Sequence, residues 1–307
     1  MRKTVVLLGG GGFLGYNIAR AFAKIGRHTP VIVDAIPPRA GSLGGVTFYE
    51  ADMSNRKALS NLFYEIRPDV VVSLVSTTIP GNSNSCIQRD VMSNLLPHLD
   101  TLELLAEFPA TGFVFISSGG AIYGDNDREV QDEGAPERPR SSYGIVKGTI
   151  EKYVRLHNLL RGMRYLILRP SNPFGEYHFS KNQGLINVMV DRIVSGEVVY
   201  IYGDGSIIRD YIYVQDLARA IQELIDREVW HETFNIGTGE GLSIMDIVAN
   251  LRIELGAFSV VHREARDADV LRVVLDSSNL WTRLGWKPTA FHKALTATIE
   301  WRRRQKT

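Results

Sequence analysis

Tyr143 and Lys147 stand four residues apart at the start of a long amphipathic stretch, so on a helix they share one face. A lysine ammonium beside a phenol favours the phenolate, and this pair predicts a tyrosine that works as a base near neutral pH. A second constellation lies near the start of the chain. The run Thr4–Leu8 leads into Gly9-Gly10-Gly11-Gly12-Phe13-Leu14-Gly15, which satisfies both G-x-G-x-x-G and G-x-x-G-x-x-G. Glycines there allow a tight turn and bring backbone N–H groups against a pyrophosphate at a helix start. Asp34 ends the next apolar run, 19 residues beyond Gly15. A carboxylate at that distance accepts from an adenosine ribose and repels a 2′-phosphate, which predicts NAD over NADP; Arg39 nearby is the opposing signal. The chemistry these residues suit is hydride transfer coupled to proton transfer. Tyr177 and Lys181 repeat the Tyr–Lys spacing but follow Pro173 and Gly175, where no helical period is visible.

The elements that must hold these groups follow one rhythm. Thr4–Leu8, Pro30–Val33, Val46–Tyr49, Val70–Leu74, Phe113–Ser117 and Tyr165–Arg169 are short apolar runs of the kind buried on both faces. Helical patterns alternate with them over Phe13–Lys24, Lys57–Glu65, Val91–Glu107 and Tyr143–Leu160. The expectation is an α/β fold, a doubly wound parallel sheet, with a smaller C-terminal substrate-binding lobe after Pro170. The boundaries expected are 1–172 for the cofactor domain, with 210–237 returning to it, and 173–209 plus 238–307 for the lobe.

Composition narrows the classes. In 307 residues, 44% apolar and 22% charged is ordinary for a globular chain. A net charge of +1 offers no field for nucleic acid or anionic membrane. The basic run Arg302–Lys306 reads as the last turn of a helix. Cys86 is alone, which excludes an intrachain disulfide and a cysteine metal cluster, and no metal is expected. The apolar run Val5–Leu8 behind Arg2-Lys3 dies in glycines too soon for a signal peptide, and no run of 18 apolar residues occurs. The expected setting is the cytoplasm.

The series of motifs resembles the extended short-chain dehydrogenase/reductases, the NAD-dependent epimerase/dehydratase group, and within it the sugar-nucleotide 4-epimerases. It runs through the glycine loop, Ala51-Asp52-Met53, Val72–Ser76, Asn94, Ser117–Gly124, Tyr143/Lys147 and Arg169–Gly175. It continues through Gly203–Ser206, Arg209–Val214, Phe234–Gly237 and Leu284–Pro288. The resemblance implies an NAD site formed by Gly9, Gly12, Phe13, Leu14, Gly15, Asp34, Asp52, Met53, Leu74, Val75, Ser76, Asn94, Ser117, Tyr143, Lys147 and Pro170. It also implies a nucleotide-diphosphate sugar as substrate, its diphosphate held by Asn172, Arg209 and Arg266. Members carry Ser or Thr four positions before the Tyr-Gly pair; here that position is Gly119. Either Ser118 supplies the hydroxyl, or Tyr143 contacts the sugar oxygen directly.

The 4,6-dehydratases of the family carry Asp-Glu just after that Thr, where this chain has Gly120 and Ala121. Hydride chemistry alone is left, with C4 epimerisation as the expected reaction. A 4-ketosugar reductase and a catalytically lapsed dinucleotide sensor are the alternatives. The apolar residues of Val91–Glu107 and Tyr143–Leu160 wrap more than one helix face. The family's solution is a four-helix homodimer interface made from this pair.

Overall fold

The computed structural model describes residues 2–124, 128–264 and 270–306. Among them, strands are numbered β1 to β13 in chain order. The larger sheet contains β1 (Thr4–Leu8), β2 (Thr29–Asp34), β3 (Thr47–Glu50), β4 (Val70–Ser73), β5 (Gly112–Ile116), β6 (Tyr165–Pro170) and β10 (Glu232–Ile236). All pairings are parallel, in the order β10-β6-β5-β4-β1-β2-β3. Such a sheet must be covered twice, and β1 shows how. Val5 and Leu7 face one core with Ile18, Phe22, Leu217, Ile221 and Leu280. Val6 and Leu8 face the other with Leu59, Phe63, Leu102, Val146 and Ile150. The doubly wound fold expected from the sequence is present.

The smaller lobe contains β7 (Asn172–Phe174), β8 (Val199–Tyr202), β9 (Ile208–Tyr213), β11 (Gly241–Ser243), β12 (Val260–Arg263) and β13 (Arg272–Val273). Here β9 pairs with β7, β11 and β13, and β8 with β12. Phe174, Ile186, Met189, Ile201, Ile247 and Leu295 form a core of its own. β9 finds its hydrogen-bonding partners in the lobe while its Ile212 packs in the core of the large sheet, and the Val214–Asp226 helix and β10 follow it onto that sheet.

The segment expected as one helix over Val91–Glu107 is broken. It starts earlier, with short turns over Pro80–Ser83, Asn84–Cys86 and Ile87–Asp90, and becomes regular only at Leu96–Leu105. Between them Val91–Leu95 forms a wider π turn, in which the Leu96 amide donates to the Val91 carbonyl five residues back. Pro97 accounts for this. It has no N–H for the Ser93 carbonyl and its ring would strike that carbonyl in a regular helix. Among the described residues, no helix is long and apolar enough to cross a membrane.

Candidate active site

The glycine loop leaves β1 beside the end of β4, where the strand order reverses and open α/β sheets bind ligands. Gly9 has φ +77°, which L side chains rarely adopt. At Gly15 a Cβ would lie 2.4 Å from the Gly10 Cα, so helix and loop touch backbone to backbone. At Gly12 it would meet nothing nearer than the Gly9 carbonyl at 3.5 Å, which leaves the amide edge of the helix start open. The Asp34 carboxylate accepts from the Gly11 amide at 2.9 Å and the Ile36 amide at 3.2 Å, fixing it at the loop's rim. Leu74 and Val75 border Gly9, and Met53 is buried against the same side of the sheet. Asp52 holds the Ser54 amide and hydroxyl, both at 2.8 Å, and Ser76 donates to the Thr78 carbonyl at 2.9 Å. Phe13 packs edge-on against His178 with centroids 4.7 Å apart, and Leu14 packs on the core that covers one face of the sheet. Ser117 is buried with a hydroxyl that has no partner, as is Ser171 next to Pro170. An open amide edge, a rim carboxylate and an orphaned hydroxyl at the strand ends fit a dinucleotide.

Tyr143 and Lys147 sit in the first two turns of the Ser142–Arg161 helix, capped by Ser141, whose hydroxyl accepts from the Gly144 amide at 3.2 Å. Lys147 is buried and donates to the Ile116 carbonyl at 3.0 Å, with its ammonium 4.8 Å from the Phe115 ring centroid and 5.8 Å from that of Tyr143. Burial pulls the Lys147 ammonium down to about 8, against Asp90 and Glu151, which raise it. Burial also pushes the Tyr143 phenol up to about 12; the neighbouring Ser118 hydroxyl lowers it and Asp90 raises it. Desolvation opposes the phenolate, and the Lys147 ammonium is engaged with a carbonyl.

Ser118 lies two residues beyond the end of β5, in extended backbone, and caps the start of the Gly119–Ile122 turn. Gly119 faces elsewhere: a Cβ there would lie 2.5 Å from Leu275 Cδ1 and 3.0 Å from the Arg169 carbonyl. Gly120 faces the Asn172 amide, 3.9 Å from its Cβ position. The Asn172 amide donates to the Asp210 carbonyl at 2.9 Å, tying β7 to β9. Arg209, on β9, is half-buried and donates to the Ile208 carbonyl at 2.9 Å. Arg266 lies outside the described residues. Asn94 uses its amide within the protein: its oxygen accepts from the Thr77 amide at 2.8 Å and its nitrogen donates to Asp90 at 2.8 Å. It steadies the segment after β4. Tyr177 has φ +62° and packs on Tyr16 and Trp301, far from any pairing with Lys181 of the Tyr143 kind. Sequence reasoning missed Ser83, Asn84 and Asp90, although the four-residue step from Asp90 to Asn94 is a helical contact that was there to find.

The sequence model of the NAD dependent epimerase/dehydratase family matches residues 5–237. A UDP-glucose 4-epimerase of Thermotoga maritima, solved with UDP-glucose, superposes with a TM-score of 0.91 at 29% identity, covering 99% of this chain and all of that one. The UDP-glucose 4-epimerase of Thermus thermophilus, solved with NAD, gives 0.89 at 28% identity over 98% of this chain and 99% of that one. The dTDP-4-dehydro-6-deoxyglucose reductase of Escherichia coli is 27% identical over 94% of this chain and 93% of its own length.

Proposed function

Because the chain belongs to the NAD-dependent epimerase/dehydratase family, with NAD as its cofactor, we propose that it interconverts nucleotide-diphosphate sugars epimeric at C4. The observation that carries this reading is the simplicity of the site. Ser118 and Lys147 both stand beside Tyr143, and Gly120 and Ala121, just after Ser118 and Gly119, bring no carboxylate for elimination. In this proposal Tyr143 takes the proton of the sugar O4 and later returns it, with the Ser118 hydroxyl and the Lys147 ammonium stabilising the phenolate. NAD held there would supply hydride-accepting and hydride-donating chemistry at C4 and positive charge beside the phenol. Gly9, Gly12–Gly15, Asp34, Met53, Leu74–Ser76, Ser117 and Pro170 line its place. Asn172 and Arg209 anchor the diphosphate while the keto sugar turns over. NMR of the protein with a panel of UDP-, dTDP- and GDP-sugars, without added cofactor, tests this. A C4 epimer forming with no net change in cofactor is expected; a product that appears only with stoichiometric NADH would make the chain a reductase.

Three further outcomes follow from the geometry. Ser118→Ala should lower kcat by about 10²-fold or more, the range of a proton-transfer partner, with sugar-nucleotide affinity little changed. Gly119→Ser should not rescue it, since that side chain would meet Leu275; rescue would assign the hydroxyl to either position. Asp34→Ala should weaken NAD and narrow its advantage over NADP, because the ribose acceptor and the loop's rim are lost together. Titration of both dinucleotides decides it, and an unchanged ratio would make Asp34 a strand-end residue.

We also infer a homodimer. On the Ser142–Arg161 helix, Val146, Ile150 and Val154 are buried, yet Ile145, Leu159 and Leu160 are 55%, 80% and 66% exposed. Met92 and Leu96, at 59% and 47%, add a neighbouring apolar strip. A second copy of the same helices would cover both. Light scattering at micromolar protein should give twice the mass of one chain; the mass of one chain would refute the pairing.

A further inference from the structure

Beneath the Tyr143–Lys147 pair lies a carboxylate that the proposed reaction does not use. Asp90 closes the Ile87–Asp90 turn and is fully buried. One oxygen accepts from Thr78 Oγ1 at 2.6 Å and Asn94 Nδ2 at 2.8 Å; the other accepts from Ser142 Oγ at 2.6 Å. Ser142 is the first residue of the helix that carries Tyr143 and Lys147. Two orphan amides of that helix are taken by the same segment: Ser142 N–H by Asn84 Oδ1 at 2.8 Å and Tyr143 N–H by Ser83 Oγ at 3.1 Å. Capping needs only neutral oxygens, and Ser83 and Asn84 supply them. Asp90 adds a full negative charge in a dry place, which is costly unless a cation lies near.

The charges around it identify that cation. Glu151, further along the helix, is held by Arg169 and Arg155. His98, facing from the Leu96–Leu105 helix, is neutral: burial holds it down at about 3, and its ring lies between Ser73 Oγ and the Asn94 carbonyl. Lys147 remains: it stands five residues along the helix from Ser142, which Asp90 holds at 2.6 Å, and among the described residues it makes no direct ion pair with Asp90, so the carboxylate acts on it and on Tyr143 through space, raising both.

We propose that Asp90 is a positioning residue for the reaction, anchoring the first turn of the catalytic helix through Ser142 and serving as counter-charge to Lys147. It acts through these side chains and does not touch the sugar. The inference rests on the reading of Tyr143 and Lys147 given above.

A negative charge favours the ammonium and disfavours the phenolate. Without it, both groups lose their protons at lower pH. Asp90→Asn should therefore lower kcat by about tenfold, within the range of coupling inside one network, and leave KM for UDP-glucose, or the panel sugar that the parent turns over, little changed. Both limbs of the kcat–pH profile should move to lower pH. Ser142→Ala, which cuts the tether and keeps the charge, should lower kcat by about threefold or more with NAD retained, and its effect combined with Asp90→Asn should fall short of the product of the two. A purely structural carboxylate would lower the rate equally at every pH, and unmoved limbs or a parental kcat in Asp90→Asn would overturn the proposal. Should Asp90→Asn not fold, Ser142→Ala decides, a parental kcat there overturning it. An active Tyr143→Phe enzyme would remove the underlying reading; an inactive one beside a parental Asp90→Asn would remove this inference alone.

Discussion

Tyr143→Phe is expected to lower turnover by about 10²–10⁴-fold while leaving NAD bound, since the ring stays and only the proton-transfer group is lost. The packing supports so selective an effect. The helix start that carries Tyr143 is fixed through Ser141, Ser83 and Asn84, none of which bonds the phenol. The pH dependence sharpens the test. With the phenol pushed up to about 12, the base form appears as pH rises, and any opposing charge in the complex lowers the pH at which it does. Where charge in the complex brings the phenol below the Lys147 ammonium, which burial holds at about 8, the parent's kcat should climb through an acid limb set by Tyr143 and fall as Lys147 loses its proton. The variant's residual rate should lack the acid limb. Absorbance of NAD released on denaturation measures retention, and Tyr177→Phe should behave as the parent. A Tyr143→Phe enzyme with near-parental turnover ends the assignment.

The second large effect is on stability. Arg169 is almost fully buried, and both oxygens of the equally buried Glu151 accept from it, at 2.9 Å from Nε and 2.6 Å from Nη2. Glu137 at 2.7 Å, the Tyr123 hydroxyl at 2.9 Å and the Glu133 carbonyl at 3.3 Å also accept from it. Glu151→Ala leaves a guanidinium in the interior short of its main counter-charge, and breaking such a pair typically costs about 3–5 kcal/mol. The denaturation midpoint should fall with an unchanged slope. A double replacement by apolar residues, Glu151→Leu with Arg169→Met, should recover much of the loss, because no charge is then stranded. A loss under about 1 kcal/mol in Glu151→Ala would mean that Glu137 alone suffices. The pair joins the Ser142–Arg161 helix to β6.

Much of this was legible in the chain because it is local. Strands buried on both faces read as unbroken apolar runs, and Gly9–Gly15 announces its turn by composition. The start of the Ser142–Arg161 helix is announced by the Tyr143–Lys147 step. What the chain hid is tertiary. The caps from Ser83 and Asn84 arrive from about 60 residues away, so no local window contains them. Asp90 carries no pattern beyond its step to Asn94. The direction of Gly119 depends on Leu275, and β9 changes sheets because its partners lie in the lobe. Pro97 was a visible signal that the apolar periodicity of its helix outweighed.

The contact between Gly15 and the Gly10 Cα has a genetic corollary. Every single-nucleotide missense change in a glycine codon introduces a side chain, and at position 15 each would drive a Cβ to 2.4 Å from main chain that cannot yield. Codon 15 should therefore tolerate synonymous change alone, and its missense alleles should vanish from a saturation library sorted on protein abundance. Gly12 has room for a methyl group, so its alanine allele should persist in that sort and drop out only when the library is sorted on activity. The two codons separate what the fold forbids from what the cofactor forbids.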